Sequence, residues 1–406
     1  MKSINYTSYT RFCGKALIDN LGTIKLWGGP AMNLLDRLSE LSISADTLTD
    51  KKQQTTKKIE YVREYVLRWA VIMLEREKID TLNFIDCMCN AGVYRDGDCC
   101  TCVEVLYVFS DLCAKFPKKQ FQVFCNDVDP QKISVLRKVI GIVPKPRNLH
   151  IFIEQMDVND YLETLNKNPK AGRKGLFDYG SSVLLYVDPF DFGTVEIPKV
   201  SAILQTHYCE LIFNFFMSDY IRNIAQDHGR IAKCVGGAQI TTKDELIAYM
   251  LSNLRVGHIQ HIFAYQFKTQ NNVELYQIVF ATPNIKGLEK LKEVLWEVFD
   301  GAQFHRNKPD DGQVCMFTKE DDKADRLKNY SHEAIQLLLE KKAGYELTFS
   351  QLEQLLIEST MLKASQIINN VIKPMLETGA MVKCGRAKKA NYKQDSYRVV
   401  ERRVKQ

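Results

Sequence analysis

Residues 82–102 read LNFIDCMCNAGVYRDGDCCTC, and the fold turns on how this stretch is parsed. Leu82, Phe84 and Ile85 form an apolar run short enough for a strand. It reaches an acid at Asp86 and then turns through Asn90, Ala91 and Gly92. Two later runs behave alike: Phe121–Cys125 ends in Asn126-Asp127, and Val183–Val187 ends in Asp188-Pro189-Phe190. In an open parallel sheet, ligands bind outside the carboxyl ends of the strands, so polar residues there can converge on one pocket from distant parts of the chain.

Working outward, strand-like and helix-like segments alternate. A helix from Thr56 carries Ile59, Val62, Tyr65, Val66, Trp69, Ile72 and Met73 at helical spacing. The 82–87 strand follows, with a helix over about 102–116. The strand at 121–127 precedes a helix at 130–141, and His150–Ile153 precedes a short helix at 160–165. Val183–Val187 precedes a helix near 199–206, and Glu210–Phe216 precedes one over 219–227. Five such alternations predict a parallel sheet with helices on both faces. His258–Phe267 and Glu274–Ala281 then read as a hairpin around Asn271-Asn272. A parallel sheet finished by an antiparallel hairpin is the arrangement of class I S-adenosylmethionine-dependent methyltransferases. The expected fold class is therefore α/β, a Rossmann-like methyltransferase sheet with a terminal antiparallel hairpin, plus a C-terminal winged-helix domain.

That C-terminal domain is read from three short helices, 334–342, 349–357 and 364–377, followed by two strand-like pieces at 381–385 and 396–400. A proline at 374 removes a backbone donor and should bend the third helix. The expected organisation is an N-terminal extension 1–54, a methyltransferase-type domain 55–300, a linker or insertion 301–330 and a winged helix 331–406.

Composition sets outer bounds. At 406 residues the chain is long enough for two domains of ~100–200 residues. Its 45% hydrophobic and 26% charged residues are those of a soluble globular protein. With no long apolar run and no leader pattern, the expectation is a cytoplasmic protein without membrane contact. The net charge of +6 is uneven: from Lys373 onward ten basic residues stand against three acidic ones, so the body before it is near neutral. A basic terminus on a neutral body suggests a polyanionic partner, DNA or RNA. Arg386, Lys388 and Lys389 would occupy the wing. Lys363 and Gln366, with Ser365 and Asn369, would present the third helix to a groove.

The candidate cofactor residues follow from the strand ends. Asp86, Asn90 and Gly92 belong to the first loop, where small or left-handed residues let backbone approach a ligand. Asp127 is placed to accept from a ribose, with Asp129 as cap of the next helix. Asp157 stands where an adenine-facing acid would sit, and it also suits a helix cap. Asp188-Pro189-Phe190 resembles the Asp/Asn-Pro-Pro-Tyr/Phe loop of amino-methyltransferases, in which a polar residue and a carbonyl hold an exocyclic amine and the aromatic ring stacks on the base. The competing reading is a strand-ending turn with buried aromatics. Asn214 could line the same cleft.

Cys87, Cys89, Cys99, Cys100 and Cys102 crowd the quoted stretch. Their spacing lacks the paired CxxC knuckles of structural zinc sites, which favours small buried hydrophobes and no metal; a metal or redox role is the alternative.

The Thr55-Thr56-Lys57 helix start and the blocks FIDCMCNAGVYRDG (84–97), LLYVDPFDFG (184–193) and LIFNFFMSDYIRN (211–223) together resemble the bacterial three-Cys-motif partner proteins. Here Cys89-Asn90-Ala91 and Cys100-Thr101-Cys102 replace an Ala-Gly-Pro and a Gly-Ser-Pro segment. The resemblance implies a methyltransferase fold encoded beside a radical-S-adenosylmethionine-like partner protein, in a defence or modification operon. The cysteines of the family name belong to that partner. The expected function is a methyltransferase-like protein using S-adenosylmethionine on nucleic acid; the alternative is a non-catalytic partner that keeps the fold.

Overall fold

The computed structural model describes residues 40–167, 175–223, 226–269, 274–302, 304–306, 319–384 and 392–400. The chain forms two compact units, one of residues 1–267 with 273–283, the other of 268–272 with 284–406. The division therefore precedes the helix at 285–298, where the sequence suggested a boundary near 300.

In the first unit, helix α1 (Gln53–Leu74) leads into strand β1 (Thr81–Asp86), all six of whose residues are buried. Then come α2 (Thr101–Lys115), β2 (Gln120–Asn126), α3 (Pro130–Ile142), β3 (Leu149–Glu154), α4 (Val158–Lys167) and β4 (Ser181–Val187). The unit continues with α5 (Ile197–Thr206), β5 (Glu210–Phe215), α6 (Met217–Asn223), α7 (His228–Cys234), α8 (Lys243–Leu254), β6 (His261–Thr269) and β7 (Glu274–Thr282). These strands run in the order β3-β2-β1-β4-β5-β7-β6. The first five are parallel, and β7 pairs antiparallel with β5. This is the Rossmann-like methyltransferase sheet the sequence predicts.

The strands read as continuous apolar runs because helices cover both faces. Alternation by one residue sorts the side chains between the faces. Ile85, Val183, Leu185, Val187, Leu211 and Phe213 join one buried cluster with α4, α5 and α8. Phe84 and Tyr186, one position out of step, stack with ring centroids 6.0 Å apart.

Three local expectations need correction. Of the helix expected over 219–227, α6 ends at Asn223, and Asp227 has left helical geometry, its side chain accepting from Arg230 N–H to cap the separate helix α7. Helix α8 lies in a stretch for which the sequence reading named no element, although Thr242 and Glu245 form a capping box at its start. The helix expected over 334–342 is longer, since α10 (Lys319–Lys341) begins within the segment 301–330.

The second unit contains α9 (Ile285–Val298), β8 (Phe304–Arg306), α10, β9 (Glu346–Thr348), α11 (Phe349–Ser359), a helical run over 364–377, β10 (Met381–Lys383) and β11 (Ser396–Val399). Strands β10, β11 and β9 form an antiparallel sheet in that order. Leu352, Leu356, Ile367, Val371, Met375 and Tyr397 are buried in its core. The run over 364–377 widens into a π-turn at Ile368–Ile372, immediately before Pro374. Pro374, which has no N–H to donate to a preceding turn, stands in the first turn of the α-helical stretch Lys373–Glu377 that follows.

Candidate functional site at the carboxyl edge of the sheet

Because β1 to β5 are parallel, Asp86, Asp127, Asp157, Asp188 and Asn214 all belong to the carboxyl ends of strands or the residues just beyond them. Register aligns Asp86 with Cys125 on β2 and with Tyr186 on β4. Asp86 is buried, and that burial pushes its carboxyl well above the ordinary carboxylate range. Cys102 and the charges of Asp188 and Asp127 push the same way, against the Met88 N–H that Asp86 accepts at 3.2 Å. Three acids from three strands thus share one electrostatic neighbourhood.

The loop after β1 is tied to these acids through its backbone. Asn90 has φ +59°, a left-handed conformation that Asn tolerates better than most residues. Its N–H donates to Asp127 Oδ2 at 3.0 Å, and its own Oδ1 accepts from Ala91 N–H at 2.9 Å. Cys87 and Cys89 N–H donate to the carbonyls of Tyr186 and Asn126. Each backbone N–H from Cys87 to Ala91 therefore has a partner within the protein. Gly92 has φ +79°, and a Cβ there would come within 2.6 Å of Leu136 Cδ1. Close packing against α3 thus demands glycine, independently of any ligand approach.

Asp127 is nearly fully buried and accepts one backbone amide on each oxygen, from Asn90 and, at 3.0 Å, from Asp129. A carboxylate oxygen has two acceptor positions, so each keeps one for a further donor such as a ribose hydroxyl. Asp129 caps α3 through Gln131 and Lys132 N–H, as expected. Asp157 is exposed and accepts from Asn159 N–H at 2.8 Å at the start of α4, which is the capping geometry. For the ribose hydroxyls of a nucleoside, Asp127 is a fitting acceptor. The amides of the loop after β1, by contrast, already have partners within the protein.

After β4, the two readings of the Asp188 loop divide between its aromatics. Phe192 is buried against Tyr220, with ring centroids 5.5 Å apart. Phe190 is 53% exposed, with Lys132 Nζ 4.4 Å from its ring centroid. Pro189, between them and the strand, is buried.

Asp188 and Asn214 meet through residues the sequence did not single out. Lys58 Nζ on α1 donates to Asp188 Oδ1 at 2.6 Å and Oδ2 at 2.8 Å. Tyr186 OH donates to Asp188 Oδ2 at 3.0 Å and accepts from Asn214 Nδ2 at 3.2 Å. Tyr61 OH completes the chain by donating to Asn214 Oδ1 at 2.9 Å. Burial, and next the Asp188 charge, push both phenols well above their ordinary range.

In the second unit, Gln366 Oε1 accepts from Lys363 N–H at 3.0 Å, so this side chain caps the helical run locally. Lys363 is half-buried, whereas Ser365 and Asn369 are exposed. Arg386, Lys388 and Lys389 lie outside the described residues.

No family model matches the chain, and no curated protein matches it. Human methyltransferase-like protein 13 in complex with SAH is 14% identical over 64% of this chain and 97% of that one, with a TM-score of 0.31. A putative O-methyltransferase from Klebsiella pneumoniae is 12% identical over 66% and 96%, with a TM-score of 0.32. A 16S rRNA (adenine(1408)-N(1))-methyltransferase from Catenulisporales acidiphilia is 10% identical over 53% and 89%, with a TM-score of 0.27. The strand order itself carries the fold assignment.

Proposed function

We propose that this chain is an S-adenosylmethionine-dependent methyltransferase-like protein that acts on nucleic acid. The observation that carries the reading is Asp127, held at the end of β2 by two backbone amides with acceptor capacity to spare, in the company of Asp86 and Asp188. In this account Asp127 takes the ribose hydroxyls and Asp157 faces the adenine. The cofactor, when bound, supplies an electrophilic methyl group. Exposed Phe190 stacks on the target base, and the Asp188-Pro189 segment receives its exocyclic amine.

The nucleic-acid part rests on the second unit. From α10 onward, its order of helix, strand, two helical stretches and two further strands, with the sheet order β10-β11-β9, supports reading it as a winged helix. The terminal excess of basic residues supplies a phosphate-binding charge. The family resemblance adds a radical-S-adenosylmethionine-like protein as a further partner.

A second reading is favoured by two observations: the first loop's amides are internally satisfied, and Asp188 is held by Lys58 and Tyr186. On that reading the fold is kept as a binding module without methyl transfer. Incubating the full chain with methyl-labelled S-adenosylmethionine and mixed DNA and RNA separates them. Label in the polymer that disappears in Phe190→Ala supports transfer. Cofactor binding without label supports the binding module.

A further inference from the structure

Of the five crowded cysteines, Cys89 and Cys102 join a three-sulfur group whose third member is Cys125 from β2. The three sulfurs lie within 4.8 Å of one another, and all three residues are buried. They come from three separate segments: the loop after β1, the first turn of α2 and the end of β2. Backbone holds them there, with Cys89 N–H donating to Asn126 O at 2.8 Å and the Cys102 thiol 3.7 Å from Cys89 O. Other free cysteines of the core, such as Cys113 and Cys209, belong to no such group among the described residues.

We propose that Cys89, Cys102 and Cys125 bind a thiophilic divalent d10 cation, zinc(II) or its congeners, as a structural centre beneath the first loop. A tetrahedral zinc site with Zn–S of about 2.3 Å sets its sulfurs about 3.8 Å apart, so only a small contraction is needed. Thiols are weak hydrogen-bond formers, and apolar packing alone gives no reason to gather three sulfurs around one point. Binding breaks the S–H bonds of the protonated thiols, forms three S–metal bonds and sends the protons to solvent; nothing is oxidised.

Charge selects the class of ion. Three thiolates with a divalent ion leave one negative charge, which the positive end of the α2 dipole offsets, whereas a monovalent ion leaves two. The fourth position is left to a water or another exogenous donor, since no fourth His, Cys, Asp or Glu atom joins the group among the described residues. Such a centre would pin the loop that carries Asn90 to the strand that precedes Asp127.

The test uses the full chain purified separately from zinc- and cobalt-supplemented cultures, with metal content measured by plasma mass spectrometry. The expected result is about one ion per chain and, for cobalt, sulfur-to-metal charge-transfer absorption in the near ultraviolet. Cys99→Ala should keep both signals. Cys102→Ala and, as a more conservative pair, Cys89→Ser and Cys125→Ser should lose them while the far-ultraviolet circular dichroism stays folded. A folded wild-type chain that carries no ion overturns the proposal. So does metal retained in the Cys102/Cys125 double variant, or occupancy by copper(I) alone in copper-supplemented preparations.

Discussion

Lys58 and Asp188 form a two-pronged ion pair that joins the first helix to the loop after the fourth strand, with both side chains at least four-fifths buried. A charge left alone in such a place is costly, because its partner no longer offsets its desolvation. Lys58→Met should therefore destabilise the first unit by about 2–4 kcal/mol. Lys58→Met with Asp188→Asn should recover most of that loss. Urea unfolding of the two single variants and the double variant measures it; additive losses would show that the pair is not coupled.

Gly92 and Gly237 offer an internal comparison, since both have positive φ, at +79° and +87°. A Cβ at Gly92 collides with Leu136, whereas nothing lies within 4 Å of one at Gly237. Gly237→Ala should cost about 1 kcal/mol in backbone strain, and Gly92→Ala roughly 2–4 kcal/mol, with overpacking added. Equal losses of thermal stability would mean that the 92–136 contact gives way freely.

Glu210 at the start of β5 is buried, and desolvation raises its carboxyl to about 7, against hydrogen bonds from Tyr65 and Thr282 and the charge of Arg76. The folded state thus holds a proton that the unfolded state has already released between its ordinary value of 4.5 and about 7. Stability contributed by this group is present below that window and falls as pH rises through it, by roughly 3 kcal/mol at most. Denaturant midpoints of wild type and Glu210→Gln should converge at low pH and separate toward neutrality, with the variant gaining. A constant difference across the window would refute the assignment.

What the sequence made legible was the part carried by local chemistry. Apolar runs ending in acids marked β1, β2 and β4, and the two runs flanking Asn271-Asn272, which lie outside the described residues, marked the neighbouring strands β6 and β7. Helix α10 was cut short because the sequence of its first turns is polar, without the apolar stripe that announces a packed helix, and Lys323, Asp325 and Lys328 are exposed. Lys58, Tyr61 and Tyr186 were missed as site residues because only the folded chain brings α1 against Asp188 and Asn214. The same holds for Cys125, whose sulfur joins Cys89 and Cys102 across separate segments.

If the terminal basic residues bind a phosphate backbone, affinity for duplex DNA should fall linearly with log salt, at about 0.9 per neutralised phosphate. Removing Arg386, Lys388 and Lys389 together should reduce that slope by roughly two to three and weaken all sequences alike. Gel shifts of the full chain across a salt series test this. Binding that ignores salt, or none at low salt, would leave a protein as the better partner for the second unit.

The central claim is that the carboxyl edge of the sheet receives the nucleoside of S-adenosylmethionine through Asp127. Isothermal titration of the full chain with S-adenosylmethionine and S-adenosylhomocysteine tests it directly, with Asp127→Ala titrated in parallel and its fold checked by circular dichroism. The account predicts one saturable site for both ligands that is lost in Asp127→Ala. No heat at millimolar ligand, or equal binding by the Asp127→Ala variant, would contradict it.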